Sequence, residues 1–356
     1  MSLLSHEAYM ARALELAVHG RNRAHPNPVV GAVIVDPSGR IIGEGYHRAC
    51  GGPHAEVNAM RSVNEADLHL INKSTIYVTL EPCAHQGRTP SCAKMLVEKG
   101  IGRVVVGAGD PFPKVSGKGI AILREAGIPV IEGVLEQQCK AVNLPFITSQ
   151  ISPYPYITLK WAQSADGFLD RERTPDIPAP LKISTRLSSL AVDRLRAEND
   201  GIMVGSGTVI ADNPRLGLRE WHGKPPVKIV LDRRGRVDQS AQLFEQGDII
   251  WITSSPAQPV RPGIRILTVS PHEPLDRIVS CLRDEGISTL LVEGGSELLT
   301  SLIDLGLWHE ARVETASFAT GGKGRGSVNL SSAIMTDSYK IDGNLISHYI
   351  NSAPLL

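Results

Sequence analysis

The chain lacks a net charge, a disulfide framework and an apolar run long enough to cross a membrane. It has 356 residues with 37 Lys plus Arg and 37 Asp plus Glu, so nothing in its charge predicts a duplex-DNA or anionic-membrane partner. Five cysteines, an odd and small number, predict a reducing, cytoplasmic location. The longest uncharged stretch, 143–159, contains three prolines and predicts no membrane span. The first residues, MSLLSHEAYMARAL, do not predict a signal peptide.

Length and pattern predict two α/β domains, because 356 residues exceed what one core usually supports. Helix and strand signals alternate over the first 140 residues, and the alternation begins again after residue 156. Between them lies LPFITSQISPYPY, at 144–156, which is uncharged and rich in proline and therefore favours a boundary. The predicted domains are 1–147 and 154–356.

The stretch GGPHAEVNAM places His54 two residues before Glu56 at a predicted helix start. Such a pair is usually a capping or solvated feature. Further along, EPCAHQGRTPSC puts Cys83 after a predicted strand and Cys92 after a Thr-Pro pair that is typical of a helix start. One histidine and two cysteines at helix starts on one side of an α/β layer suit Zn²⁺ and leave a fourth position open. Helix starts also favour the thiolate form that binds metal.

Glu56 is predicted to face that open position, because residues i and i+2 of a helix do not share a face. Zinc makes water a stronger acid, and Glu56 would move the protons. The alternative is a purely structural zinc, which would not need Glu56 and would normally have a fourth protein ligand.

An H-x-E sequence followed by Pro-Cys matches the signature of zinc-dependent nucleobase deaminases, although eight residues rather than two separate Cys83 from Cys92. The longer form CAHQGRTPSC resembles the deaminase domain of the bifunctional riboflavin-biosynthesis deaminase/reductase family, as do HPNPVVGAVIV at 25–35 and GEGYH at 43–47. This resemblance implies that Asn27 and His47 line the pyrimidine pocket. It also implies that His85 and Arg88 contact the ribose phosphate.

The resemblance covers nearly the whole chain. It continues through LKWAQSADG at 159–167, LRAENDGIMVGSGTVIADNPRLGLR at 195–219 and LVEGGSELL at 291–299. It implies a dihydrofolate-reductase-like domain that binds NADPH across the strand ends. The implied substrate contacts are Lys160, Asp166, Arg196, Leu216, Arg219 and Glu293. The implied cofactor contacts are Ala162, Ile183, Thr208, Asp212, Gly294, Gly295 and Ser296.

One segment departs from the family pattern. Where the family has a G-E-S-x-W-I-T-like run, this chain has FLDRERTPDIPAPLKIST at 168–185, with neither G-E-S nor tryptophan. The cofactor-facing tryptophan position corresponds to Ile183. The departure bears on cofactor affinity or reductase rate more than on fold.

The sequence therefore predicts an N-terminal, cytidine-deaminase-like three-layer domain and a C-terminal, dihydrofolate-reductase-like α/β domain. The resemblance implies zinc-dependent deamination of a phosphorylated pyrimidine, NADPH-dependent reduction, and a homo-oligomer formed through the reductase domain. Two alternatives stay open. One is a deaminase with a degenerate reductase half. The other is a nucleic-acid base deaminase, against which the zero net charge and the lack of a basic, aromatic stripe argue.

Overall fold

The computed structural model describes residues 5–84, 91–112, 116–255, 261–330 and 333–353. The chain forms two compact units, 1–151 and 152–356. The division falls within the proline-containing stretch at 144–156, whose first part is a helix, Leu144–Ile151. Pro145 lies in the first turn of this helix, where a missing backbone N–H has no cost.

The first unit is a five-stranded sheet in the order β2-β1-β3-β4-β5. β1 is antiparallel to β2 and β3, whereas β3, β4 and β5 are parallel. The strands are β1 (Gly31–Val35), β2 (Ile41–Tyr46), β3 (Thr75–Leu80), β4 (Arg103–Ala108) and β5 (Val130–Ile131). The helices are α1 (His6–Val18), α2 (Arg21–Ala24), α3 (Ala55–Arg61), α4 (Cys92–Glu98), α5 (Lys118–Glu125), α6 (Glu136–Val142) and α7 (Leu144–Ile151), with a 3₁₀ helix at Glu65–Lys73.

Alternate residues of the central strands are buried on both faces, which places the sheet between two helical layers. Ala32 and Ile34 of β1 pack with α3, α4 and α5, and Val33 and Val35 pack with α1 and α6. Ser5 begins α1, since its hydroxyl accepts a hydrogen bond from the Ala8 amide. The three-layer prediction for this domain is confirmed.

Helix α3 lies against the backbone of β2 without side chains between them. A Cβ atom on Gly45 would lie 2.3 Å from the Ala59 nitrogen, and one on Gly43 would lie 2.6 Å from the Ala59 oxygen. Glycine allows this approach because it has no side chain. The contact sets the position of the α3 N-terminus, where His54 and Glu56 lie.

The second unit is a nine-stranded sheet in the order β11-β10-β9-β8-β12-β6-β13-β16-β15. The strands from β11 to β13 are parallel, and β16 and β15 extend the sheet as an antiparallel hairpin. The strands are β6 (Tyr156–Gln163), β7 (Phe168–Arg171), β8 (Gly201–Gly205), β9 (Val227–Leu231), β10 (Ile249–Thr253), β11 (Ile264–Thr268), β12 (Thr289–Glu293), β13 (Glu310–Thr315), β14 (Gly324–Gly326), β15 (Ala333–Ile341) and β16 (Asn344–Asn351). The helices are α8 (Arg186–Ala197), α9 (Ser206–Asp212), α10 (Leu275–Asp284) and α11 (Ser296–Asp304), with a 3₁₀ helix at Gln242–Phe244.

Helices cover both faces of this sheet, and β7 and β14 form a separate two-stranded ribbon. Leu282 of α10 and Leu299 of α11 belong to the core on one face, and Val209 of α9 and Leu195 of α8 pack on the other. Because the strands are parallel, their carboxyl ends meet at one edge, which is where such folds bind ligands. The predicted α/β class is confirmed for this unit as well.

His309 is a buried histidine just before β13. Its Nδ1 accepts a hydrogen bond from the Ile157 amide at 3.0 Å, and its ring stacks on Tyr156 with centroids 4.5 Å apart. Since an amide N–H only donates, the neutral ring carries its hydrogen on Nε2, which has no partner among the described residues. Burial lowers the pKa of His309 to about 4.

Protonation of His309 should destabilise the second unit in mild acid. Its pKa is lower in the folded chain than the ordinary value of 6.5, so its contribution is complete above that value and falls as the pH drops towards 4. Between about pH 7.5 and about pH 5 the free energy of unfolding should fall by about 2 kcal/mol from this group. Denaturant unfolding followed by tryptophan fluorescence measures it, because all four tryptophans lie in this unit.

His309→Asn should remove this part of the pH dependence, whereas the exposed His272→Asn should keep it. An unchanged pH dependence in His309→Asn would contradict the assignment.

Candidate active sites

Three predicted metal ligands come together at two helix starts in the first unit. His54 is the N-cap of α3, Cys92 is the first residue of α4, and Cys83 lies in the loop after β3. His54 Nδ1 is 3.6 Å from Cys83 Sγ and 3.3 Å from Cys92 Sγ, and the three ligand atoms lie within 4.8 Å of one another. Around a tetrahedral zinc ion at its usual bond lengths, nitrogen and sulfur ligands lie about 3.5 Å apart. The arrangement therefore fits zinc.

The start of α4 is attached to the Cys83 loop through the backbone. The Cys92 amide donates to Cys83 Sγ at 3.3 Å, and the Ala93 amide donates to the Cys83 carbonyl at 3.2 Å. Ser91 caps the helix by accepting from the Lys94 amide. These bonds use the free N–H groups of the first turn and hold both sulfur atoms on the same side of the sheet.

The two thiols have opposite acidities. The pKa of Cys83 is lowered to about 4, first by a hydrogen bond from Cys92 and further by His54 and the Cys92 amide. The pKa of Cys92 is raised by its hydrogen bond to Cys83 and by burial. A second thiolate at this separation needs a cation beside it. The donor set therefore suits a divalent metal, and Cys and His ligands favour zinc.

Glu56 lies in the first turn of α3, and only 3% of its surface is exposed. Burial raises its pKa to about 7. It faces a cavity of about 240 Å³ together with His54 and Cys83. A carboxyl group with this pKa can take up and release a proton near neutral pH.

Asn27 and His47 line the same cavity, as the resemblance implies. His47 donates from Nδ1 to the Pro53 carbonyl at 3.1 Å, so its Nε2 accepts from the Asn27 side-chain amide at 3.3 Å. Burial lowers the pKa of His47 and keeps the ring neutral. The cavity wall consists of Asn27, Pro28, Val30, His47, His54, Glu56, Leu80, Glu81, Cys83, Asp110 and Phe146. His85 and Arg88 lie outside the described residues.

Glu81 is a wall residue that the sequence analysis missed. Its buried carboxylate accepts from the amides of Asp110, Gly117, Gly119 and Ile120 at 2.8 to 3.3 Å. It therefore holds the loop after β4 and the start of α5 against the cavity. An acidic residue at the end of a buried strand was the available signal.

In the second unit, a cavity of about 650 Å³ lies at the carboxyl edge of the parallel strands. Its volume is typical of small-molecule sites. The predicted residues on its wall are Lys160, Ala162, Arg196, Thr208, Asp212, Leu216, Glu293, Gly294 and Gly295. The ribbon and the segment after it, which the sequence analysis did not place here, add Leu169, Asp170, Arg171, Arg173, Gly324 and Arg325.

Arg196 and Glu293 form a buried ion pair in this wall. Arg196 donates from Nε and Nη2 to the two Glu293 oxygens at 2.8 and 2.7 Å, and from Nη1 to the Gly217 carbonyl at 2.9 Å. Although burial opposes it, the Arg196 guanidinium lowers the pKa of Glu293 to about 2. Lys160 lies opposite Glu293 on the neighbouring strand, and burial lowers its pKa. Glu293 is therefore a fixed anion between two cationic side chains.

The Gly294–Gly295 turn joins β12 to α11, whose first residue is Ser296. The Gly295 amide donates to Thr208 Oγ1 at 3.0 Å. This bond connects the turn to α9, the helix that follows the neighbouring strand β8. With no Cβ at Gly294 or Gly295, the backbone is open to the cavity and can approach a phosphate group closely. These residues fit a dinucleotide cofactor.

Four predicted residues of the second unit lie outside this wall, namely Asp166, Ile183, Arg219 and Ser296, the first residue of α11. Ile183 is buried and its carbonyl accepts from Asn344 Nδ2 at 3.1 Å. Asp166 accepts hydrogen bonds from Thr320, Gly321 and Gly322 and thereby anchors that loop. Arg219 is exposed and lines a neighbouring cavity of about 760 Å³, although its charge still lowers the pKa of Glu293.

Two protein-family models match the chain. The model of the cytidine and deoxycytidylate deaminase zinc-binding region matches residues 4–108, and the model of the RibD C-terminal domain matches residues 155–337. The first match contains all three candidate ligands and Glu56. The second contains the cavity wall of the second unit.

Several curated relatives of this chain are riboflavin biosynthesis proteins named RibD. The riboflavin biosynthesis protein RibD of Escherichia coli (strain K12) is 36% identical over 343 residues, which is 91% of each chain. That of Aquifex aeolicus (strain VF5) is 40% identical over 308 residues, which is 84% of this chain and 83% of the relative.

Among solved structures, Acinetobacter baumannii RibD has a TM-score of 0.86 at 32% identity and covers 98% of this chain and 99% of its own. A Thermotoga maritima diaminohydroxyphosphoribosylaminopyrimidine deaminase/5-amino-6-(5-phosphoribosylamino)uracil reductase has a TM-score of 0.85 at 34% identity, over 97% of this chain and 98% of its own. Since relatives at 36% and 40% identity match over most of their length, the chain belongs to the RibD family of riboflavin-biosynthesis enzymes, in which a zinc-binding deaminase domain precedes a reductase domain.

Proposed function

We propose that the first unit hydrolyses the exocyclic amine of a diaminohydroxypyrimidine that carries a phosphoribosylamino group. The observation that supports this most strongly is the meeting of His54, Cys83 and Cys92 beside the buried Glu56 at one cavity. These three residues would hold the metal. When bound, zinc supplies Lewis acidity, which makes water a stronger acid and nucleophile at neutral pH.

Glu56 carries the protons in the proposed deamination. As the water oxygen bonds to the ring carbon and the C=N bond opens, the Glu56 carboxylate takes a proton from the water and passes it to the ring nitrogen. It then moves the second proton from the new hydroxyl group to the amine, so that the carbonyl forms, the C–N bond breaks and ammonia leaves. Burial raises the pKa of Glu56, which favours its uptake of the proton from water. Asn27 and the neutral His47, which line the same cavity, orient the pyrimidine ring.

The second unit then reduces the deaminated product in the cavity at its sheet edge. When bound, NADPH supplies the hydride that converts the ribosyl group into a ribityl chain. Thr208 and the Gly294–Gly295 turn would hold the cofactor, and Arg196, Glu293 and Lys160 would hold the substrate. Asp212 borders the cofactor side, where it pairs with Arg173.

The protein is further proposed to act in the cytoplasm and to associate with itself through the second unit. All five cysteines are free, which suits a reducing cytoplasm. Among the described residues, the helices are too short or too polar to span a membrane. Self-association through the second unit is favoured by exposed apolar side chains on the β15–β16 hairpin, namely Ile334, Met335 and Ile350, and molar mass in solution would test it.

Mass spectrometry of the phosphoribosylamino-pyrimidine incubated with the purified protein tests the two-step function. The change from amine to oxo should occur without NADPH, and a gain of two hydrogen atoms should occur only with it. The first change alone would favour the alternative of a degenerate reductase half. If zinc-loaded protein produced neither change, this result would contradict the proposed substrate and favour a nucleic-acid base as the target.

Glu56→Gln should lower the deamination rate by about 10²- to 10⁴-fold, because the amide cannot carry the proton. The change keeps the size of the buried side chain, so zinc content and thermal unfolding should stay close to those of the unchanged protein. Zinc content is measured by atomic emission on the same sample. Loss of zinc from Glu56→Gln would mean that Glu56 acts on the metal rather than on the proton.

Cys83→Ser and Cys92→Ser should each lose most of the bound zinc, because a hydroxyl is a much poorer zinc ligand than a thiolate. Cys50→Ser is the matched control, since Cys50 is an exposed cysteine of the same unit and lies outside the ligand group. Zinc content after dialysis against a weak chelator distinguishes the three variants. Full occupancy in both Cys83→Ser and Cys92→Ser would refute the ligand assignment.

A further inference from the structure

The cavity of the second unit has an excess of positive charge. Five cationic and three anionic side chains line it among the described residues. The cations are Lys160, Arg171, Arg173, Arg196 and Arg325, and the anions are Asp170, Asp212 and Glu293.

Each of the three carboxylates forms an ion pair with Arg173 or Arg196. Arg173 donates from Nε to Asp170 at 2.6 Å and also pairs with Asp212. Glu293 pairs with Arg196 at 2.7 Å. Within the described parts of the chain, no carboxylate forms an ion pair with Arg171 or Arg325. Lys160 forms no ion pair within these parts of the chain either, but it lies opposite Glu293 on the neighbouring strand and lowers the pKa of that carboxylate. The described cations of the wall without a neighbouring carboxylate partner are therefore Arg171 and Arg325.

Arg171 is held at the cavity by the backbone around it. Asp170 Oδ1 accepts from the amides of Arg171 and Leu181 at 2.9 and 2.8 Å, which closes the base of the loop. The Arg171 side chain makes a single long contact, from Nη2 to the Ala179 carbonyl at 3.4 Å. Its Nε is buried without a partner among the described residues. The guanidinium thus has donors available for a ligand.

Arg325 comes from the other strand of the ribbon, where it lies opposite Asp170 while Gly324 lies opposite Arg171. Its Nη1 is 3.6 Å from the point that a Cβ of Gly295 would occupy. Its side chain makes no hydrogen bond within the described residues. Arg325 therefore lies directly beside the Gly294–Gly295 turn with its donors free.

We propose that Arg171 and Arg325 bind the diphosphate of the dinucleotide cofactor, which Arg325 holds against the Gly294–Gly295 turn. This assignment rests on the proposed function, in which a nicotinamide dinucleotide occupies the cavity. A diphosphate bridge carries two negative charges, which match the two arginines that no carboxylate neutralises, and guanidinium groups bind phosphate oxygens in pairs. Arg171 belongs to the segment at 168–185 that departs from the family pattern.

Arg325→Gln is the primary test, because the Arg325 side chain makes no hydrogen bond within the described residues that the substitution would break. The dissociation constants of NADPH and NADH are measured by quenching of Trp161 fluorescence, since Trp161 lines the cavity. Both should rise about tenfold and by the same factor, because both cofactors contain the diphosphate. Adding Arg171→Gln should increase the loss to about a hundredfold. Arg277→Gln is the control, since Arg277 is an exposed arginine on α10 of the same unit, and it should leave both constants unchanged.

Several results would overturn the assignment. A loss for NADPH alone would place Arg325 at the 2′-phosphate, which NADH lacks. A higher KM for the pyrimidine substrate, with unchanged cofactor binding, would place it at the substrate phosphate. Unchanged binding of every ligand would leave Arg325 as a surface charge. If the unchanged protein itself bound neither cofactor, the proposed reductase function would fail, and this assignment with it.

Discussion

Parallel strands send their carboxyl ends to one edge of a sheet, and both candidate sites depend on this constraint. In the first unit, β3 ends just before Glu81 and Cys83, and the parallel strand β4 ends at Ala108, just before Asp110. In the second unit, β6, β8 and β12 end around one cavity. Helix starts follow these strand ends and offer free N–H groups, which favour thiolates in one unit and phosphates in the other. One rule of chain geometry thus supports two unrelated chemistries.

The metal triad could be predicted because each ligand stands next to a strong local signal. His54 precedes an apolar helical pattern, Cys83 follows a strand and a proline, and Cys92 follows a Thr-Pro pair. Strand and helix types could be predicted in most places for the same reason, since their periodicity is local. The same holds for Gly294 and Gly295, whose position between a strand and a helix is visible in the sequence.

What could not be predicted depends on partners far away in the chain. The carbonyl of Ile183 accepts a hydrogen bond from Asn344, 161 residues later, and the Ile183 side chain is buried. Asp166 anchors a loop 154 to 156 residues away. The cofactor contact of Ile183 and the substrate contact of Asp166 stay predictions. Glu81 was missed because its role appears only when four distant amides converge on it.

The position of Glu56 depends on two glycines, whose lack of a side chain lets α3 approach the sheet. Helix α3 rests on Gly43 and Gly45, and any side chain at Gly45 would have to displace backbone atoms of that helix. Cys83 and Cys92 belong to the loop after β3 and to α4, whereas His54 and Glu56 would move with α3. In a mutational scan of this protein, substitution of Gly45 should therefore lower the activity as substitution of an active-site residue does. Every reactive group would still be present in such a variant.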